Sequence, residues 1–183
     1  MKRLLILLAA GMLLLSLAGC KKNPEAPTQP TVPEEKDYID FHEEPEEMDI
    51  AGAQSYLQDE TADVTTPEYR QAVYTVNQAK VSSVIDEAHA LKQKTQAVTE
   101  VFDGIAFRFH EGETFASATV KKQLAKKGTY AWDEETGYYR FTFHDRTLAQ
   151  AAVNLDDDHA LEEYTAVLDL LLSDPNVIVK ALL

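Results

Sequence analysis

Apolar residues recur at alternating spacings of three and four between residues 67 and 102, a stretch that has no glycine or proline after Pro67. The repeat predicts one long amphipathic helix over 67–102, begun by Thr66-Pro67 and ended by Asp103-Gly104; Ser82-Ser83 is the place where a break would fit. Such a helix would be about 50 Å long. It either packs within the chain, on a C-terminal helix and a small sheet, or pairs with a second copy or a partner. The stripe contains Tyr74, Asn77, Val81, Val84, Ala88, Leu91, Thr95, Val98 and Phe102.

A strict alternation of apolar and polar residues follows, and it predicts two strands with one aromatic face. In the first, Ile105, Phe107 and Phe109 alternate with Ala106, Arg108 and His110; in the second, Tyr139, Phe141 and Phe143 alternate with Arg140, Thr142 and His144. A polar loop over 133–137 predicts a hairpin that joins strand 129–132 to strand 138–144. Residues 117–127 are expected to form a short basic helix, with a strand over 115–120 as the alternative.

The C-terminal part predicts a second amphipathic helix, which begins after Asp157-Asp158 and ends at Asp174-Pro175. Residues 177–183 form a last apolar segment, either a strand or a short helix. The fold class is therefore α+β, with a long N-terminal helix and a C-terminal helix packed on a small antiparallel aromatic-rich sheet. The apolar face of the C-terminal helix contains Leu161, Tyr164, Leu168, Leu171 and Leu172.

Residues 20–63 resemble a tether in composition. Prolines recur at every third position from Pro24 to Pro33, which favours polyproline II, and acidic residues then far outnumber lysines. We therefore expect a disordered linker over 20–63 and a globular domain over 64–183. Two alternatives stay open within the linker: a short helix over 45–58, and a docking motif of apolar residues, namely Tyr38, Ile39, Phe41, Met48 and Ile50.

The first twenty residues have the layout of an export signal. Lys2 and Arg3 precede an apolar run over 4–15, which is too short to span a bilayer comfortably. The run ends in Leu17-Ala18-Gly19-Cys20, which resembles the lipobox of bacterial lipoproteins and contains the chain's one cysteine. The resemblance implies that residues 1–19 are a signal peptide cut between Gly19 and Cys20. It also implies that Cys20 carries a diacylglycerol on its thiol and an acyl chain on its new amino group.

The lipobox resemblance implies a protein on the outer side of a cell membrane, held there by lipid. Lys21 follows the cysteine where an aspartate would resemble an inner-membrane retention signal, so an outer membrane facing the periplasm is favoured if the cell is Gram-negative. Residues 21–183 resemble no family. A lone unpaired thiol would be a liability in an oxidising compartment, which supports lipidation of Cys20.

Charge limits the partners. The formal net charge is −14, and loss of the signal peptide removes two positive charges more, so nucleic acid is excluded as a partner. The polar strand face is locally basic, and it could receive an anionic ligand or an acidic partner segment. An ordinary solvated face is the alternative. The candidate face contains Arg108, His110, Arg140 and His144, and Lys121, Lys122, Lys126 and Lys127 lie between its strands in sequence.

No local pattern of catalysis or metal binding is present. The chain has no Gly-x-Ser-x-Gly elbow, His-Glu-x-x-His or glycine-rich phosphate loop, so we expect no enzyme, no catalytic residue and no cofactor. The acidic loop over 154–159 lacks the glycine and twelfth-position glutamate of an EF-type site, and helix capping explains it. His42 among tether glutamates has no fixed geometry, and His89 fits a partly buried structural role, so no metal site is expected.

Three functions remain at this point. The first is a lipid-anchored envelope lipoprotein whose non-catalytic domain binds another envelope component. The second is a lipoprotein that captures a small anionic or aromatic molecule near Arg108, Arg140, Tyr130 and Trp132. The third is a structural lipoprotein that self-associates through residues 67–102, as a homo-oligomer.

Overall fold

The computed structural model describes residues 38–43, 47–91, 95–154 and 158–183. The predictions for the signal peptide, Cys20 and the proline-rich part of the tether lie outside this range. Within it the chain has six helices and a four-stranded antiparallel sheet, and the α+β prediction is confirmed. The helices are α1 (Ile50–Gln58), α2 (Pro67–Leu91), α3 (Thr95–Phe102), α4 (Ala118–Lys127), α5 (Leu148–Asn154) and α6 (His159–Leu172), and the strands are β1 (Ile105–Phe109), β2 (Gly128–Asp133), β3 (Tyr138–Phe143) and β4 (Val177–Val179).

The strands follow the order β2-β3-β1-β4, and the predicted hairpin joins β2 to β3. Gly137 closes this hairpin with a φ of 70°, a left-handed conformation that glycine adopts without strain. Ile105 lies opposite Phe141, and Phe107 lies between Tyr139 and Val179. One face of the sheet, the inner face, therefore has the buried side chains Ile105, Phe107, Phe141, Phe143, Val177 and Val179.

The hydrophobic core lies between the inner face and the helices. Burying one large apolar side chain contributes about 1.5–3 kcal/mol, so this layer provides most of the stabilisation of the fold. The helical contribution comes from α3 to α6 and from one side of α2, and includes Val73, Phe102, Val120, Leu124, Leu148, Tyr164, Val167, Leu168 and Leu171.

The prediction of one helix over 67–102 is wrong, because the structure has two helices there, α2 and α3, which contact each other. Helix α2 is continuous through Ser82-Ser83, where a break seemed to fit. Val81, Ala88, Val98 and Phe102 are all buried within the chain. A single straight helix of about 50 Å could not pack its whole apolar face against one small core. Two shorter helices can each pack their apolar face against it.

Helix α2 runs beside β4, the edge strand, and its polar side chains pair with the backbone there. The Asn77 side chain donates to the Lys180 carbonyl (3.0 Å) and accepts from the Leu182 amide (2.8 Å). Buried backbone groups need such partners, and a covered edge does not pair with other chains. Asn77, a polar intrusion in the sequence stripe, is therefore a structural contact of the sheet edge.

The folded part begins earlier than residue 64, which corrects the predicted boundary of the tether. Phe41 is only 2% exposed in the main core, and the Ile39 amide donates to the Ser173 carbonyl at the end of α6 (2.8 Å). Further along, α1 packs Ala53 against Ala72 and Val76 of α2. Apolar contacts outweigh the acidic composition here, and the docking-motif alternative is correct for Ile39, Phe41 and Met48, which pack on buried clusters. Tyr38 and Ile50, the other two residues of that motif, are more than half exposed. The predicted helix over 45–58 is present, and begins at Ile50.

Two alternatives were left open in the C-terminal half, for residues 117–127 and for residues 177–183. A helix cap resolves the first and strand pairing resolves the second. Residues 118–127 form helix α4, not a strand, and the Ser117 hydroxyl caps it by accepting from the Val120 amide (3.2 Å). Residues 177–179 form strand β4, which pairs with β1. Helix α5 was not predicted from the sequence, because its seven residues are too few to show a helical period.

Candidate functional site

The outer face of the sheet, opposite the aromatic core, holds two of the four predicted site residues. Ala106 lies opposite Arg140, and Arg108 lies opposite Ile178, so these side chains share one face. Both arginines are exposed. The alternation in the sequence therefore placed Arg108 and Arg140 correctly.

Tyr138 joins this face and lies between two cations. The Arg108 guanidinium is 5.7 Å from the centre of its ring, and the Lys180 ammonium is 5.4 Å from it. Both distances are within the range of a cation–π contact. Lys180 was missed because the last apolar segment could not be assigned as strand or helix; once β4 is known, the same alternation places Lys180 on the outer face.

Arg140 has a carboxylate partner on the neighbouring strand. One of its terminal nitrogens donates to Asp133 at 3.1 Å. Between Arg140 and Lys180 the small side chain of Ala106 leaves a shallow hollow of about 170 Å³. Glu100 lies at its rim. The outer face is thus a cationic depression in a strongly acidic protein.

The two histidines lie just beyond the ends of β1 and β3, and His110 lines a groove together with Arg108. His144 follows the end of β3, where its amide donates to the Lys127 carbonyl and its ring Nε2 lies 3.1 Å from the Ala125 carbonyl on α4. The prediction that His144 shares the face of Arg140 is therefore wrong, because the strand ends and α4 offers the ring an acceptor. His110 begins the loop after β1, where its buried ring Nε2 has no hydrogen-bond partner among the described residues.

The lysines of α4 do not reinforce the outer face either. Helix α4 packs Val120 and Leu124 into the core, so it belongs to the layer on the inner face of the sheet. Lys127 pairs with Glu163 of α6 at 2.7 Å. The local excess of positive charge in the sequence is divided between the two sides of the molecule.

A wider groove lies at the end of the sheet where the hairpin turns. It has a volume of about 620 Å³ and its wall includes Trp132, Tyr139 and Phe109 together with Arg108 and His110. The indole of Trp132 is 52% exposed and contacts Tyr139 edge-on, with ring centres 5.1 Å apart. Exposed aromatic side chains with a polar tip are common in binding surfaces.

The four residues of the predicted small-molecule site do not lie on the same face of the sheet. They are Arg108, Arg140, Tyr130 and Trp132. Trp132 lies opposite Tyr139 and Tyr130 opposite Phe141, so both aromatic side chains share the direction of the inner face. Arg140 points the other way. Of the four, only Arg108 and Trp132 line the same groove.

The described residues bring no three histidine, cysteine, aspartate or glutamate side chains close enough to hold a metal ion. Asp158 occupies the N-cap position of α6 without a capping hydrogen bond from its side chain. His42 is held by Asp169 of α6 at 3.1 Å, and the ring of His89 bonds to the Ala152 carbonyl, as suits a structural histidine.

In the ranges that the structure covers, each helix is too short or too polar to traverse a lipid bilayer. Comparison with protein-family models, with curated proteins and with solved structures finds no match to this chain.

Proposed function

We propose that this protein is a bacterial envelope lipoprotein, anchored by lipid on Cys20, whose non-catalytic α+β domain binds another envelope component. The observation that carries the anchor is Leu17-Ala18-Gly19-Cys20, which follows a basic start and an apolar run and contains the one cysteine. Two or three acyl chains hold a protein stably without a spanning helix.

The groove at the end of the sheet is the surface we assign to the partner. It combines an exposed indole, flanking aromatic rings and a cation in one concave region, as the centre of a binding surface does. The indole side chain of a tryptophan loses little conformational freedom when a partner covers it. Trp132 is thus the residue on which we expect binding to depend most.

The anchor is tested by expressing the full precursor in a bacterium fed labelled palmitate. Wild-type protein should take up the label and sediment with membranes, and Cys20→Ser should do neither and should keep its signal peptide. Label that persists in Cys20→Ser, or a wild-type chain that takes up none, would refute the anchor.

The partner surface is tested by placing a photoreactive amino acid at position 132 of the lipidated protein in cells. The matched control carries it at Gln123, which is exposed on α4 away from the groove. We expect a discrete adduct with an envelope component from position 132 only. Equal adducts from both positions, or none, would contradict a specific surface there.

A second candidate is capture of a small anionic or aromatic molecule, favoured by the presence of Arg108 and Trp132 in one groove. Trp132 is the only tryptophan, so its fluorescence reports on that groove alone. Titration with aromatic carboxylates should quench it saturably, and a flat response across them would count against this function.

Self-association through residues 67–102 receives less support. This alternative was considered because the sequence has an apolar stripe that could need a second copy to cover it. In the structure, the stripe is covered within the chain at Val81, Ala88, Val98 and Phe102. Sedimentation of the mature chain tests this alternative, and a monomer mass at every concentration would end it.

A further inference from the structure

Two cations on the outer face of the sheet lack acidic partners. Arg108 and Lys180 contact the ring of Tyr138, and neither forms an ion pair within the described ranges. Arg140 gives one nitrogen to Asp133, and its other N–H donors are available. In a chain with a net charge of −14, three cations on one face of a small sheet are an unusual local arrangement. Arg140 and Lys180 line the hollow together with Glu100, and Arg108 stands next to it, joined to Lys180 through the ring of Tyr138.

The sheet fixes the spacing of these cations. Lys180 pairs with β1 through its amide, which donates to the Ala106 carbonyl at 2.8 Å, and Arg140 lies opposite Ala106 on the other side. Adjacent strands are about 4.8 Å apart, so the two Cα atoms flank Ala106 at about 10 Å from each other. Arginine and lysine side chains are long enough to meet over this alanine, and the hollow is open there.

Tyr138 holds two of the three cations in place before a ligand arrives. A guanidinium stacked on an aromatic ring keeps its N–H groups free at its edge, where they can donate to an oxyanion. An anion that binds there need not immobilise Arg108 and Lys180 fully itself, which lowers the entropic cost of binding.

We propose that the outer face binds a phosphate group through Arg108, Arg140 and Lys180, over Ala106. A tetrahedral oxyanion directs oxygens towards several donors at once, whereas a carboxylate has two oxygens in one plane. The hollow of about 170 Å³ has room for such a group with part of its hydration. Arg108 also lines the proposed partner groove, whereas Arg140 and Lys180 do not, and the site does not depend on the lipid anchor.

The test uses the full mature chain with Cys20→Ser, titrated with inorganic phosphate at constant ionic strength and followed by amide NMR. We expect saturable shifts at Ala106, Arg108, Arg140 and Lys180. Arg108→Gln and Lys180→Gln should each weaken binding about tenfold, the effect of one charge-assisted hydrogen bond. Lys122→Gln removes the same charge from α4 and should change nothing.

A further variant separates positioning from charge. Tyr138→Leu leaves every charge in place but removes the ring that holds Arg108 and Lys180, so phosphate binding should weaken while the fold persists. Shifts that never saturate, or that are equal in Lys122→Gln, Arg108→Gln and wild type, would show weak general screening and overturn the site.

The source of the phosphate is resolved by vesicles of phosphatidylcholine with or without phosphatidic acid, whose headgroup is a phosphate monoester. Binding that needs phosphatidic acid and is lost in Lys180→Gln supports the site and assigns it to a lipid headgroup. Binding of inorganic phosphate alone supports it and assigns a soluble ligand. If the protein binds neither inorganic phosphate nor the vesicles with phosphatidic acid, the proposal is overturned. The lipid anchor and the partner groove are then still judged by their own tests.

Discussion

At the scale of single residues, Tyr164 shows how a polar atom can be tolerated in the core. Its hydroxyl is buried and has no hydrogen-bond partner among the described residues, while its ring packs against Phe102 at 5.9 Å. Burial raises the pKa of this phenol, so it stays neutral. A buried hydroxyl without a partner costs free energy that its ring must offset.

We therefore expect Tyr164→Phe to leave the free energy of unfolding unchanged or to raise it by up to about 1 kcal/mol. Urea denaturation of the mature chain measures this. Tyr164→Ala is the control for the ring, and should cost about 3–5 kcal/mol. A loss above 1 kcal/mol in Tyr164→Phe would mean that the hydroxyl does have a partner.

A second residue-scale feature is a local Asp-x-Thr motif. Asp145 accepts from the Thr147 hydroxyl (2.5 Å) and amide (2.9 Å), and these two bonds lower the pKa of Asp145 from its ordinary value of 3.8. Asp59 and Asp63 accept in the same way from the threonines two residues on. The bonds favour the charged carboxylate and order the chain next to the end of a helix, after α1 for Asp59 and before α2 and α5 for Asp63 and Asp145.

Thr147→Val should raise the pKa of Asp145 towards 3.8 and leave those of Asp59 and Asp63 unchanged, as NMR titration of the carboxyl carbons would show. The lowered pKa means that Asp145 stabilises the fold above the unfolded pKa and loses this contribution as pH falls through the folded pKa. The variant should therefore lose less stability on acidification. An unmoved Asp145 would show that the hydroxyl bond is absent in solution.

At the scale of elements, Arg70 of α2 joins three parts of the chain. It is 1% exposed, and its guanidinium donates to four carbonyls at the α6–β4 turn: Leu172 (2.6 Å), Asp174 (3.1 Å), Pro175 (3.2 Å) and Val177 (3.4 Å). Burial lowers the pKa of Arg70, and the charge of Asp174 opposes that shift. Asp174 in turn accepts from the Ala116 and Ser117 amides before α4.

Arg70→Lys should destabilise the fold by about 2–4 kcal/mol. Three of the carbonyls surround Nη1 and the fourth, that of Pro175, accepts from Nη2, so one ammonium on a shorter side chain cannot reach all four and some would stay buried without a donor. Chemical denaturation followed by circular dichroism checks this. Arg146→Lys, the same exchange at an exposed position, should stay within about 0.5 kcal/mol. Equal stabilities of the two variants would show that the four bonds contribute nothing.

Elements with a strong local period could be predicted from the sequence, and those fixed by distant contacts could not. The alternation around Phe107 and Phe141 predicted β1, β3 and the face of Arg108 and Arg140. By contrast, the docking of Phe41 and the turn of His144 towards α4 depend on residues far along the chain. The contact between α2 and α3 depends on the shared core that both helices cover. The role of Arg70 could not be predicted, because no pattern in a sequence shows four carbonyls that meet only after folding.

The segment over 38–43 is the element whose contacts were least expected, and it should detach before the rest unfolds. Phe41→Ala removes its buried ring, which lies 5.9 Å from that of Tyr74. We expect the Ile39 amide to exchange with deuterium much faster, while amides in the centre of α2 keep their protection. Tyr38→Ala, at a position 56% exposed, should change neither. Loss of protection throughout the chain would instead make this segment part of the cooperative core.

At the scale of the whole molecule, charge is distributed unevenly. The chain has 31 acidic and 17 basic residues, yet the outer face of the sheet and helix α4 are cationic. Long-range repulsion among the acidic residues opposes compaction, while pairs such as Lys127–Glu163 favour it. The balance between these two effects is set by the sum over all charges.

We expect repulsion to be the larger effect, so sodium chloride should stabilise the mature chain. Raising ionic strength from about 0.01 M to about 0.15 M shortens the Debye length from about 30 Å to about 8 Å, which screens distant like charges more than close pairs. Thermal unfolding at pH 7 should then shift upwards by about 2–4 °C, or about 1 kcal/mol for a chain of this size. The full sequence has an isoelectric point near 4.7, and that of the mature chain is lower because Lys2 and Arg3 are removed. At the isoelectric point of the mature chain net repulsion vanishes and the shift should disappear. A fall in melting temperature with salt at pH 7 would mean that close ion pairs stabilise the fold more than the excess negative charge opposes it.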